Sequence, residues 1–376
     1  MKLIYLDNSA TTQVSDSAID AATLAMKNQF GNPSSLHTMG IEAGGIVNHA
    51  RQAIATALGC APQEIVFTSG GTEANNLAIL GCAKALKRRG NRIVYSAIEH
   101  SSVMESVKLL QQEGFETVPI YPDNSGIVPC EDICKAITAD TILVSLMLVN
   151  NETGAIQPIA GIKDAIKRVK SPALLHCDAV QAFCKIPFKP ASLGIDLATV
   201  SSHKVHGMKG AGALYIRKGV HILPIIMGGG HENGMRAGTE SVPAIASFGA
   251  AVEECNISKG QKHFAELKSH LQSKLLEIPN IIINSPQNSA DFILNFSVLG
   301  YKGETLLHYM ASKGIYFSTA SACKKGSKSH VLQAMKLPQQ RIDSAIRLSF
   351  SKSNTIEEID AFIAALKEAI TELSHQ

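Results

Sequence analysis

Short apolar runs alternate with amphipathic stretches from about residue 50 to residue 250. The runs over 64–68, 92–97, 117–120, 141–148, 173–177, 197–201 and 211–216 have the length and make-up of strands. Between them, 73–88, 101–112, 130–137 and 159–169 carry helical spacing. This alternation predicts βαβ units, and so an α/β fold with a mostly parallel central sheet and helices on both faces. The run 211–216 follows 197–201 so closely that it predicts an antiparallel exception. After Gly228-Gly229-Gly230 a long helical region, 242–276, leads away from this unit. Strands over 281–283, 293–296 and 346–350, with helices around them, predict a smaller α+β C-terminal domain.

The polar residues able to do chemistry gather at the ends of the predicted strands. Thr68 to Thr72, His100, Asn150-Asn151, Asp178 and Lys204 each fall at or just after the carboxyl end of a different strand, where open parallel sheets place their ligands. In Ser201-Ser202-His203-Lys204 the lysine amine is positioned to form a Schiff base with an aldehyde, the usual anchorage of pyridoxal phosphate. Taken alone, the four residues also fit a solvated loop. Gly70-Gly71-Thr72 opens a helix whose free N–H groups suit a phosphate, although a plain glycine turn with a Thr cap has the same pattern. The spacing matches neither the P-loop nor Gly-x-Gly-x-x-Gly, which disfavours a nucleotide.

His100 is placed to stack on a ring or move protons, or simply to be polar surface. Asp178, at a buried strand end, needs a cationic or donor partner, and a pyridinium nitrogen is one. Gln181 and Asn151 lie where they reach the hydroxyl side of such a ring. The glycine-dense stretch 228–239 ends in Arg236 and Thr239, and reads as a mobile loop or a phosphate contact. Cys323 stands in a Gly/Ser loop with Lys324, Lys325 and Lys328, cations that favour thiolate over thiol. Arg347 interrupts an apolar strand, wants a carboxylate partner, and suits an amino-acid substrate.

Composition narrows the field. The 376 residues are 45% hydrophobic and 18% charged, with a formal net charge of +3, so bulk charge does not argue for nucleic acid. No apolar run reaches membrane-spanning length, and the N-terminus lacks a signal-peptide core, so a cytoplasmic location is the expectation. The eight cysteines are Cys60, Cys82, Cys130, Cys134, Cys177, Cys184, Cys255 and Cys323. They show no Cys-x-x-Cys and no zinc spacing, so neither a disulfide framework nor a metal is expected, and most should be reduced and buried.

Together these segments resemble the cysteine desulfurases of the NifS/IscS type, within the class-V aminotransferase family of fold-type-I pyridoxal phosphate enzymes. The resemblance runs over nearly the whole chain. It includes Tyr5 to Thr12, Phe30 to Ser35, Phe67 to Glu73, Val149 to Gly154, His176 to Gln181, Ser201 to Lys204, Gly234 to Thr239 and Ser321-Ala322-Cys323. It implies a homodimer that moves sulfur from L-cysteine to an acceptor protein, a cluster scaffold or a thiolation enzyme. It implies a large cofactor domain over 15–255, and a small domain of 1–14 with 256–376 that carries the Cys323 loop. Lys204 is then the Schiff-base lysine, Cys323 the persulfide-forming nucleophile and His100 the ring-stacking residue. Asp178 is the pyridinium partner, with Gln181 and Asn151 on the ring hydroxyl side. Gly71, Thr72, Ser201 and His203 match the phosphate positions, with Thr239 supplied by the other subunit. Asn32, Asn151 and Arg347 match the substrate-carboxylate clamp. A selenocysteine lyase or another β-lyase is the rival within this chemistry, and a non-catalytic scaffold that binds sulfur carriers is the rival outside it. Two departures leave the acceptor open: only seven residues, 324–330, separate Cys323 from Val331, three of them lysines, and Asn233 replaces a basic residue.

Overall fold

Seven strands form the larger sheet, in the spatial order Ile65–Thr68, Gly212–Ile216, Leu197–Ser201, Leu174–Asp178, Thr141–Ser145, Arg92–Ser96, Glu116–Ile120. All run parallel except Gly212–Ile216, which is antiparallel to both neighbours, as its short connection requires. The computed structural model describes residues 3–319 and 328–373. Three strands, Ile65–Thr68 at the edge and Thr141–Ser145 and Leu197–Ser201 inside, are buried at every position. Helices on both faces leave no solvated side, so these strands read as unbroken apolar runs.

The structure departs from the expected elements in three places. The strand expected over 141–148 ends at Ser145. Beyond it the chain still bonds one neighbour, through Leu146 N–H to His176 O and Leu148 N–H to Asp178 O. On its other side the Met147 N–H meets the Glu99 carboxylate (2.6 Å) instead of a strand carbonyl. The helical region expected over 242–276 is two helices, Val242–Glu253 and Ile257–Leu275. Asn256 divides them, leaving helical geometry (φ −122°) and capping the second helix by accepting from Lys259 N–H. Finally, two helices absent from the expected set, Asp16–Asn28 and Thr38–Leu58, pack on Val242–Glu253. There Gly249 is essential: a Cβ would lie 2.7 Å from that of Ala50.

The smaller sheet is antiparallel throughout, in the order Ser318–Thr319, Ala345–Ser349, Ile293–Val298, Ile281–Ile283. A short parallel pair, Ile4–Tyr5 with Ile315–Tyr316, lies beside it. From this pair residues 7–12 cross to the larger sheet. Asp7 bridges Ser349 at one end, and Thr12 N–H donates to His203 O at the other. No helix of the described residues is long and apolar enough to cross a membrane.

Candidate active site

A cavity of about 400 Å³ opens where the carboxyl ends of the parallel strands meet the smaller sheet. Its wall brings together Gly71, Thr72, His100, Asn151, Asp178, Gln181, Ser201, His203, Lys204 and Arg347, ten of the thirteen residues singled out in the sequence. Each is put there by its element. Gly71 and Thr72 occupy the first turn of helix Gly71–Leu86, whose leading N–H groups have no carbonyl within the helix. His100 caps helix Ser101–Gln112: its Nδ1 accepts from Ser102 N–H (3.2 Å) and pairs with Ser102 Oγ (2.8 Å). Asp178 ends its strand. Lys204 closes the single 3₁₀ turn that follows strand Leu197–Ser201.

Asp178 is 5% exposed, and its carboxylate is held from two sides. Val180 N–H donates to Oδ1 (3.0 Å), and Asn75 Nδ2 donates to Oδ2 (2.7 Å). Asn75 was not foreseen; the one cue was its place on the inner face of the helix that Gly70 opens. Lys204 Nζ donates to the carbonyls of Ser9 (2.5 Å) and Ala10 (2.7 Å). Gln181 Nε2 donates to the same Ser9 carbonyl (3.0 Å), while its Oε1 accepts from Lys185 (3.4 Å). Thr11 Oγ1 pairs with His203 Nδ1 (3.2 Å). Residues 9–11 of the crossing segment thus tie up Lys204, Gln181 and His203, a role that their motif did not announce.

Arg347 has the carboxylate partner its burial demands, and that partner is Asp7. Nη2 meets Asp7 Oδ1 at 2.6 Å, and Nη1 donates to Asn151 O at 3.0 Å. Two buried acids near the cavity were also missed. Glu99 is fully buried, and burial with the nearby Asp178 raises its pKa well above the usual carboxylate range. Glu152 is raised too, by burial, against the pull of its bond from Ser329. Burial and the Lys204 charge bring His203 down to about 4. His100 is also lowered, chiefly by burial, with Asp178 opposing.

Beneath the site, His176 pairs with Ser145 Oγ (2.8 Å) and Thr199 Oγ1 (3.3 Å). Burial lowers its pKa to about 4, against the pull of Asp178. An unfolded chain's histidine titrates near ~6.5, so between these values the unfolded state binds more protons. Stability therefore falls as pH drops through that window, by up to ~3 kcal/mol from this ring. Urea midpoints should fall less steeply with acidification in His176→Gln than in wild type. Parallel slopes would mean that the ring titrates normally.

Three residues lie apart from this cavity. Asn32 is exposed and absent from its wall, its Oδ1 accepting from Ser34 N–H (3.0 Å), so within this chain it is no part of the carboxylate clamp. Thr239 is likewise exposed and outside the wall. Arg236 is not a free phosphate contact, because Glu73 holds its Nε at 2.9 Å. Cys323, Lys324 and Lys325 lie outside the described residues. The seven described cysteines are all free thiols, but only Cys82 and Cys177 are buried, fewer than expected. None of the seven lines the cavity.

The model of the aminotransferase class-V family matches residues 4–362. A cysteine desulfurase IscS of Methanosarcina thermophila is 41% identical over 99% of this chain and 93% of its own length. A solved NifS-like protein superposes with a TM-score of 0.94 at 39% identity, covering 99% of this chain and 100% of that one. The structure of SspA in complex with cysteine is similar at a TM-score of 0.83 and 31% identity, over 92% of this chain and 98% of its own. With its strand-end lysine and aspartate facing one cavity, and this match along nearly its whole length, the chain belongs to the class-V aminotransferase family.

Proposed function

We propose that this chain is a pyridoxal-phosphate-dependent cysteine desulfurase. L-Cysteine gives up its sulfur to Cys323 as a persulfide, L-alanine leaves, and an acceptor protein in the cytoplasm later takes the sulfur. The observation that carries this reading is the convergence of Lys204, Asp178 and Arg347 on one cavity. An amine, a buried carboxylate and a guanidinium are what a carbonyl cofactor and an amino-acid substrate ask for.

The residues fit the cofactor. Ser201 Oγ is buried and has no partner. Beside it, a Cβ on Gly71 would come within 2.9 Å of Val180 Cγ2, so glycine keeps that wall open next to the N–H groups of the helix start. Gly71, Thr72, Ser201 and His203 would hold the phosphate, His100 the ring face, and Gln181 with Asn151 the ring hydroxyl side. Pyridoxal phosphate, when bound, supplies an electron sink for the pair left at the substrate Cα. Asp178 keeps a proton at the ring nitrogen. Lys204 would hold the cofactor through Nζ, and the same amine would carry the Cα proton. Arg347 orients the substrate by its carboxylate.

Two copies pair in this reading, and Thr239 serves the neighbour's site. Support comes from apolar side chains exposed on the first helices and the turn between them: Leu24 (52%), Met26 (55%), Phe30 (68%) and Ile41 (66%). Residues 15–255 form the cofactor domain, and 1–14 with 256–376 the small domain; the break before Asn256 supports that boundary.

Asp178→Asn tests the reading. An amide keeps one acceptor oxygen, for Val180 or Asn75 but not both, and it does not favour a protonated ring. The variant should keep most of its cofactor, measured by absorbance, and form alanine from L-cysteine about 10²–10³-fold more slowly than wild type. Near-normal turnover would remove Asp178 from the ring, and wild-type protein that turned over only selenocysteine would make it a lyase of that substrate.

A further inference from the structure

We infer that Asp7 is the positioning residue for the substrate-carboxylate clamp, setting the orientation of Arg347. The inference rests on the reading above, in which Arg347 receives the substrate carboxylate. Arg347 is 7% exposed and lies in strand Ala345–Ser349, which lends its guanidinium no direction of its own beyond the cavity wall. Two acceptors fix the plane. Asp7 Oδ1 takes Nη2 at 2.6 Å, and the Asn151 carbonyl takes Nη1 at 3.0 Å. Nε is buried and unpartnered. A guanidinium has five N–H groups in a fixed fork, so these two bonds leave one further N–H on each of Nη1 and Nη2 for a carboxylate arriving in the cavity.

Asp7 is itself held. Ser318 Oγ donates to its other oxygen, Oδ2, at 2.9 Å, and its backbone bridges Ser349. A carboxylate so restrained sets one rotation of the arginine fork, and bidentate recognition depends on that rotation. It also offsets the charge of Arg347 before substrate arrives, so that a buried cation is not left alone. The two effects have opposite signs for substrate affinity. Loss of positioning weakens binding, whereas loss of the neighbouring negative charge alone would strengthen it. Positioning is the larger here, because Asp7 makes the shorter of the two contacts that fix the fork, 2.6 Å on Nη2.

The test is Asp7→Asn in the holoenzyme, with alanine formation from L-cysteine followed across substrate concentration. KM should rise about 10-fold with kcat within about twofold, the pattern of lost ground-state binding. Calorimetric binding of L-alanine should weaken by a similar factor, and cofactor absorbance should not change. Cysteamine, which is cysteine without its carboxylate, separates clamp from fold: its binding should be the same in variant and wild type. Ser318→Ala, which frees one side of Asp7, should raise KM by about 2–3-fold. An unchanged or lowered KM in Asp7→Asn, or equal weakening for cysteamine, overturns the assignment. Arg347→Ala is the control for the underlying reading. If it leaves L-alanine binding intact, the clamp itself is wrong; if it abolishes binding while Asp7→Asn does nothing, only the role of Asp7 falls.

Discussion

Lys204→Ala should lose every trace of cofactor fixed by borohydride and slow alanine formation by at least about 10³-fold. In the proposed mechanism the amine both holds the cofactor and carries the Cα proton, so its removal takes away two functions at once. The competitor is Lys185. It is buried, and burial with the Lys204 charge lowers its pKa to about 7. It lies close to Gln181 and 4.7 Å above the Phe292 ring, and it lines a smaller neighbouring cavity of about 70 Å³ that Lys204 also borders. It does not line the main cavity, whose wall Lys204 forms. Cofactor still bound through phosphate and ring contacts should wash out of Lys204→Ala under dialysis. Peptide mapping of a borohydride-treated sample checks both points: cofactor fixed at Lys185 in the variant would make the two lysines interchangeable.

Cys323→Ser should bind L-cysteine, change the cofactor absorbance on doing so, and yet form alanine at least about 10²-fold more slowly than wild type. Binding and Cα proton removal need Lys204, Asp178 and Arg347. Moving sulfur needs a thiolate that attacks the substrate sulfur and keeps it. A serine hydroxyl ionises too weakly to attack and forms no persulfide. The other seven cysteines offer no rescue, because none of them faces the cavity. Cys177 is fully buried, and burial drives its thiol far above the ordinary range, so thiolate is scarce there. Wild-type alanine formation by Cys323→Ser would remove the nucleophile role from this residue.

The larger sheet was legible because several of its strands are wholly buried, and short apolar runs such as Ile142 to Val144 stand out between polar stretches. The site was legible for a related reason: polar side chains stood out where such runs stopped. What escaped the sequence was local competition for backbone groups. Glu99 takes the Met147 N–H and ends a strand early, and Asn256 caps a helix in the middle of a helical pattern. Helices Asp16–Asn28 and Thr38–Leu58 escaped because their buried positions are mostly alanine, while Leu24, Met26 and Ile41 face outward, which inverts the usual amphipathic pattern. Asn75, Asp7 and Ser9 escaped because their roles arise from contacts between distant segments. Asp7 and Arg347 are 340 positions apart, and no spacing rule joins them.

The most direct test follows the sulfur atom. Holoenzyme is mixed with one equivalent of L-cysteine without reductant, quenched by an alkylating agent, and divided between peptide mass spectrometry and amino-acid analysis. The account predicts one added sulfur on the Cys323 peptide, in proportion to the alanine formed, with the remaining cysteine peptides unchanged. Pyruvate appearing with free sulfide, or alanine appearing with no sulfur added to Cys323, would contradict it.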